Sequence, residues 1–265
     1  RAMDHVHSVI AGIAPHDSVE RFEKLGCRVI EAKAHFTGPN EVIADGKRIH
    51  AKRFVIATGP RAAVPPIDGI DAVPYFTNET IFENRICPDH LIIIGGGPIG
   101  LEMAQAKVTV IEMATILPKD DPDLVAVVRD MIESSGISLY EKIKTKRVET
   151  HDDQIRVIIE HNGADITIEG SHLLIATGRK PTIDDLGLDA AGVTYSARGI
   201  NVDKRLRTSN SKIFAIGDVT GGLQFTHMAG YDAGIVIRNA LFRLPAKVDH
   251  KAVPWVTYTN PELAQ

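Results

Sequence analysis

From His90 to Ile94 the chain is almost continuously apolar, the pattern of a strand buried on both faces of a parallel sheet. A glycine-rich turn follows at once, then a helical stretch over Pro98 to Ala106 and a second apolar strand over Val108 to Ile111. A further helix is expected from about Asp123 to Ser135, with Leu124, Val127, Val128, Met131 and Ile132 sharing its apolar face. Asp121 and Pro122 stand where helix-start residues belong. Strand, helix, strand, helix in that order predicts an α/β unit built on a parallel sheet.

On either side of this unit the period changes. Met3, Val6, Ile10 and Ile13, then Val19, Phe22 and Leu25, recur at helical spacing with Pro15 breaking the run. His5, His7 and His16 fall in this stretch without metal-ligand spacing and are read as solvated. Short strands are expected next, at Arg28 to Ala32, Val42 to Ala44, Arg48 to His50 and Arg53 to Ala57, with an Asp45-Gly46 hairpin turn and a closing Ala57-Thr58-Gly59-Pro60. The same order returns at Ile155 to Glu160, an Asn162-Gly163 turn, Ile166 to Ile168, and Leu173 to Ile175 before Ala176-Thr177-Gly178-Arg179. This is an internal duplication of a β-meander feeding a glycine turn, and it suggests two similar halves that each bind a nucleotide.

At 265 residues the chain has room for two ordinary domains. A formal charge of -4 gives no reason to expect a nucleic-acid partner. No apolar run reaches the roughly 18 to 20 residues that span a bilayer, and the first residues lack the apolar stretch of a signal peptide, so a cytoplasmic protein is expected. Cys27 and Cys87 are far apart and in no redox or metal spacing, and both are read as structural. No metal site is expected.

Three places carry candidate chemistry. Gly95-Gly96-Gly97-Pro98-Ile99-Gly100 contains G-x-G-x-x-G between a strand and a helix, the context that makes the motif informative. Gly95 would permit the tight turn, Gly97 the approach of a pyrophosphate, and Gly100 close helix packing; the competing reading is a loop without ligand. Glu112 ends the second strand, where a carboxylate accepts from both hydroxyls of an adenosine ribose and disfavours a 2'-phosphate, unless it is an ordinary surface glutamate. No arginine occupies the next positions, so NAD(H) is expected over NADP(H). Gly217-Asp218 closes a short apolar strand, and Asp218 is either an acceptor for ligand hydroxyls or a helix cap. A helix is expected from about Thr226 to Phe242.

Together these blocks resemble the pyridine nucleotide-disulfide oxidoreductases, most closely the dihydrolipoamide dehydrogenase and mercuric reductase branch. The resemblance rests on Val55-Ile56-Ala57-Thr58-Gly59, the Gly95 to Glu102 segment, Ala176-Thr177-Gly178-Arg179-Lys180-Pro181, Ile213 to Val219, and Val253 to Glu262, in the family's order. It implies FAD and NAD(H) as cofactors and hydride transfer from NADH to flavin, with electrons passing to a small-molecule or protein disulfide substrate. An NADH oxidase, a transhydrogenase and a noncatalytic nucleotide-binding module are the alternatives. By the resemblance Asp218, after Gly217, binds the ribityl chain of FAD, and Thr58 with Gly59 forms the flavin-domain turn. Thr226 and His227 open a helix facing the pyrimidine edge of flavin, Glu102 lies near the nicotinamide, and Gly178 with Arg179 marks the return to the flavin domain.

The fold class expected is α/β, a Rossmann-like FAD/NAD(P)-binding fold with two interleaved three-layer nucleotide-binding domains and β-meanders. The bounds expected are 1–85 and 182–248 for the flavin domain, 86–181 for the NAD domain, and 249–265 for the start of a dimerisation domain. The intact enzyme is expected to be a homodimer without membrane attachment. The family's redox pair C-x-x-x-x-C and its first G-x-G-x-x-G do not occur in this sequence, so the chain reads as a fragment, inactive alone. The short crossover also suggests that residues are missing between Ala106 and Lys107.

Overall fold

The computed structural model describes residues 2–104 and 107–265, so the junction of Ala106 with Lys107 lies outside the described residues. The chain divides into two compact units, one of residues 1–61 and 180–253, the other of residues 62–179 and 254–265.

The first unit opens with α1 (Ala2–Ile13) and α2 (Val19–Lys24), separated by a single 3-10 turn that contains Pro15. The strand expected from Arg28 is absent there. Pairing begins at β1 (Ala34–Gly38), because only from Ala34 does the chain find a partner in β2 (Glu41–Ala44). β3 (Lys47–His50) completes the antiparallel meander. Asp45 and Gly46 both hold positive φ, 51° and 65°, the backbone that a two-residue hairpin demands. β4 (Phe54–Ile56) then runs parallel to a late strand, Ile213–Ala215. Phe36 from the meander packs with Ile56, Ile200, Ile213 and Val219 in a shared core.

The second unit is built on a four-stranded parallel sheet. Its strands are β5 (Leu91–Ile94), β6 (Val108–Glu112), β7 (Ser138–Glu141) and β11 (His172–Ile175), in the spatial order β11-β5-β6-β7. Leu91 and Ile93 join one core with Val125, Val128 and Ile132, while Ile92 and Ile94 join another with Val148, Val157 and Ile159. A period of two therefore buries every residue of β5, which explains the unbroken apolar run. One face carries α3 (Pro98–Glu102) and α4 (Pro122–Ser134). The other carries the second meander, β8 (Thr145–His151), β9 (Gln154–His161) and β10 (Ala164–Gly170). The duplication read from the sequence is thus a duplication of structure, and the fold is the Rossmann-like α/β arrangement.

Three further details differ from the sequence reading. α3 ends at Glu102 rather than Ala106. α4 buries Val125, Val128 and Ile132, whereas Leu124 and Val127 are exposed; a stripe at i, i+3 and i+7 meets the sheet, and the wider apolar surface of this helix misled the pattern. Residues 62–85 pack with the second unit, where Ile67, Ile70 and Val73 enter its core and the Phe76 N–H donates to Leu173 O (2.8 Å). In the first unit β12 (Ile213–Ala215) leads to a 3-10 turn, Gly217–Thr220, and then to α5 (Thr226–Ala240). In the second, Val256–Thr257 pairs with Leu263–Ala264. Among the described residues no helix is long and apolar enough to cross a membrane. Cys27 and Cys87 are both exposed and free.

Candidate functional site

In the second unit the glycine turn lies at the carboxyl end of β5, the end at which open α/β sheets bind ligands. Each glycine there has a separate physical reason. Gly95 has φ +116°, and a Cβ on it would lie 2.4 Å from Ala176 O. On Gly100 a Cβ would lie 2.1 Å from Gly95 O, so helix α3 packs against the turn through bare backbone. Gly97 has an ordinary φ of -79°, and a Cβ there would meet nothing within 4 Å among the described residues beyond its chain neighbours. Neither strain nor protein packing accounts for glycine at Gly97. The open space before its backbone suits a group that must come closer than a side chain would allow.

Glu112 reaches this turn from the end of β6. Its Oε2 accepts from the Gly96 N–H (2.6 Å) and its Oε1 from the Ala114 N–H (2.7 Å). A carboxylate offers about four lone-pair sites, so these two bonds fix the side chain and leave acceptor capacity for ligand hydroxyls. The loop after Glu112 is anchored as well, because the Leu117 N–H donates to Gly96 O (3.0 Å). Sequence reasoning missed a second carboxylate in this arrangement. Glu141 stands opposite Glu112 in register across β6 and β7. Its Oε1 accepts from the Ile116 N–H (2.7 Å), and its Oε2 is paired with Arg129. An acidic residue at the carboxyl end of each of two successive strands was the available signal.

Two more of the expected residues belong to this unit. Glu102 ends α3, and its Oε1 accepts from the Tyr258 N–H (2.9 Å). Gly178 follows β11 at the same end of the sheet with φ +107° and open space at its Cβ position, and its carbonyl accepts from the Ala63 N–H (3.0 Å). Arg179 follows it and is half-buried.

In the first unit the parallel pair β4 and β12 carries the other set at its carboxyl end. Gly217 has φ +66°, and Asp218, 8% exposed, is buried in the turn that follows. After β4, Thr58 Oγ1 donates to Thr182 O (2.7 Å) and the Thr182 N–H donates to Gly59 O (2.9 Å), so that turn is tied down on both sides. Gly59 has φ +63° with nothing near its Cβ position. Thr226 and His227 form the first turn of α5, which no side chain caps among the described residues. The first N–H groups of a helix have no intrahelical partner and carry partial positive charge. The His227 ring stacks on Phe225, with centroids 5.4 Å apart.

Residues 10–233 match the family model described as pyridine nucleotide-disulphide oxidoreductase. A mercuric reductase from Bacillus cereus is 39% identical over 254 residues, covering 93% of this chain and 40% of that protein. A dihydrolipoyl dehydrogenase from Geobacillus stearothermophilus is 33% identical, covering 89% of this chain and 53% of that protein. Among solved structures, a Cu(II) complex of a mutant of the HOCl-induced flavoprotein disulfide reductase RclA from Escherichia coli superposes with a TM-score of 0.91 at 31% identity. That match covers all of this chain (100%) and 62% of the other. The chain therefore spans about half the length of the curated relatives it matches, 40% and 53% in the two cases above.

Proposed function

Because the chain belongs to the pyridine nucleotide-disulphide oxidoreductase family, we propose that it supplies the NADH site and part of the FAD site of a dihydrolipoamide dehydrogenase-like enzyme. In balanced form, NADH, a proton and one disulfide give NAD+ and two thiols. FAD, when bound, supplies the acceptor for the hydride and the relay of its two electrons. The observation that carries this reading is the open space at Gly97, set between the sterically required Gly95 and Gly100 and beside Glu112.

The chain's own groups then bind and orient. The Gly97 backbone admits the pyrophosphate of NADH at the start of α3. Glu112, already fixed by Gly96 and Ala114, accepts from the adenosine ribose hydroxyls and repels a 2'-phosphate, which favours NAD(H). Glu102, at the other end of α3, lies towards the nicotinamide, with one oxygen held by Tyr258. Gly178 and Arg179 carry the chain back towards the flavin site. For FAD the residues present also fit. Asp218 is a buried acceptor at the carboxyl end of a sheet, and Thr58 with Gly59 forms the turn beside it on the neighbouring strand. The α5 start at Thr226 and His227 presents N–H groups suited to the negative charge of reduced flavin. The working enzyme is a homodimer in this reading.

The test is NADH consumption by the complete protein with and without lipoamide. Oxidation of NADH that requires the disulfide, with two thiols appearing per NADH, is expected. NADH oxidation that is indifferent to lipoamide would replace this reading with that of an oxidase.

A further inference from the structure

We propose that Asp232 is a positioning residue for FAD, holding the Gly217-Asp218 turn in place through the Gly217 N–H. This rests on the reading of Asp218 as a flavin-binding group. Asp232 lies on the second turn of α5 and is 7% exposed. Its Oδ2 accepts from the Gly217 N–H at 3.0 Å in a buried setting. Its Oδ1 is buried without a hydrogen-bond partner among the described residues.

The side chain is costly where it stands. Its helix neighbours on the buried face are Met228, Ile235 and Val236, and a buried carboxylate with an unpartnered oxygen destabilises relative to an apolar residue of similar size. An apolar residue would serve the packing of α5 better. What it could not supply is an acceptor for the Gly217 N–H, which would then be buried and unpaired.

The rest of the turn is held by other means. Thr220 Oγ1 donates to Gly217 O (2.8 Å), and the Gly221 N–H donates to Asp218 O (3.0 Å). A Cβ on Gly221 would lie 1.6 Å from Arg198 O, and one on Gly199 would lie 2.6 Å from Val219 O, so the second half of the turn is locked against a neighbouring hairpin. Its first half, where φ of Gly217 is +66°, is fixed from the helix side by Asp232. Asp218 is the next residue. The Gly217 N–H that Asp232 grips belongs to the Ile216–Gly217 peptide, so Asp232 fixes the backbone that leads into Asp218.

The experiment compares the complete protein with its Asp232→Ala, Asp232→Asn and Asp218→Ala variants. FAD dissociation constants of the apoproteins, their thermal midpoints, and the visible circular dichroism of bound flavin are measured. Asp232→Ala is expected to weaken FAD about tenfold or more and to alter the flavin dichroism. Asp232→Asn keeps an oxygen for the Gly217 N–H and is expected to hold FAD within about threefold of the parent. Unchanged FAD affinity in Asp232→Ala, or a loss in Asp232→Asn equal to that in Asp232→Ala, overturns the proposal. If Asp218→Ala binds FAD like the parent, the underlying reading of Asp218 fails; if it weakens FAD while Asp232→Ala does not, the role of Asp232 alone fails. Should the alanine variant not fold, Asp232→Leu fills the space without an acceptor and carries the same comparison. Failure of both to fold as apoproteins would show a role in the scaffold rather than at the flavin, and would also overturn the proposal.

Discussion

Replacing Gly97 and Gly100 one at a time by alanine separates binding from folding within a single turn. At Gly100 the new methyl would lie 2.1 Å from Gly95 O, more than an ångström inside contact distance, and 3.2 Å from Ile93 Cγ2. Neither the backbone carbonyl nor the buried isoleucine can retreat without moving β5 away from α3. Overpacking of this kind costs about 1 to 3 kcal/mol. Alanine's better helix propensity returns at most about 1 kcal/mol of that. At Gly97, the N-cap of α3, the methyl meets no described atom within 4 Å beyond its chain neighbours and φ is -79°, so the cost should not exceed the roughly 1 kcal/mol of alanine at an N-cap. The same methyl would occupy the space assigned to the pyrophosphate. Loss of about tenfold or more in NADH affinity is expected, since tenfold is only about 1.4 kcal/mol. The assay is denaturant unfolding of both variants together with NADH titration in the complete protein. Parent-like NADH affinity in Gly97→Ala, or equal destabilisation by the two substitutions, would show that the space at Gly97 is not a binding space.

Other expectations follow from the same structure. Glu112→Ala should erase most of a preference for NADH over NADPH, a preference of roughly 2 to 4 kcal/mol given about 1.5 to 3 kcal/mol per lost charged hydrogen bond; titrations with both nucleotides check it, and an unchanged ratio would remove Glu112 from that role. Ile132→Ala should cost about 2 to 5 kcal/mol because Ile132 is 1% exposed, whereas Leu124→Ala, at 39% exposed, should cost far less; comparing denaturation midpoints tests the corrected face of α4. Burial pushes the pKa of His90 below its ordinary 6.5, with Lys107 acting in the same direction against an opposing backbone hydrogen bond. The unfolded chain then binds the proton more readily, so this contribution to stability is present above pH 6.5 and is lost as pH falls through the folded value. Thermal midpoints of His90→Asn should fall less than the parent's over that acid range, and parallel curves would contradict this. The 265-residue chain alone should hold FAD weakly and reduce no disulfide, since it contains neither a second G-x-G-x-x-G nor a C-x-x-x-x-C; stoichiometric FAD after gel filtration would show otherwise.

The parts of the fold legible in the sequence were those governed by local chemistry. The apolar run at Leu91 to Ile94 required burial on two faces, and Asp45-Gly46 and Asn162-Gly163 marked turns whose residues all hold positive φ. The glycine turn at Gly95 declared itself because its neighbours were a strand and a helix. What escaped depended on tertiary partners. Whether Val127 or Val125 of α4 faces the sheet depends on how the helix is rotated, which an apolar surface this broad does not define. The strand expected at Arg28 had β propensity but no neighbour with which to pair. Residues 62–85 give little periodic signal, and they joined the second unit through contacts such as that of Phe76 with Leu173. Within the candidate sites, the glycines and Glu112 were readable, whereas Glu141 and Asp232 act through backbone N–H groups distant in sequence.

The proposed delivery of NADH to a flavin by this chain leaves an optical signature. Its most direct test is an anaerobic titration of the complete, purified protein with NADH while the visible absorbance of bound flavin is followed. The expected result is retained FAD whose band bleaches in proportion to added NADH, with NADPH much less effective. A protein that retains no flavin, or a flavin band that NADH leaves unchanged, would contradict the proposal.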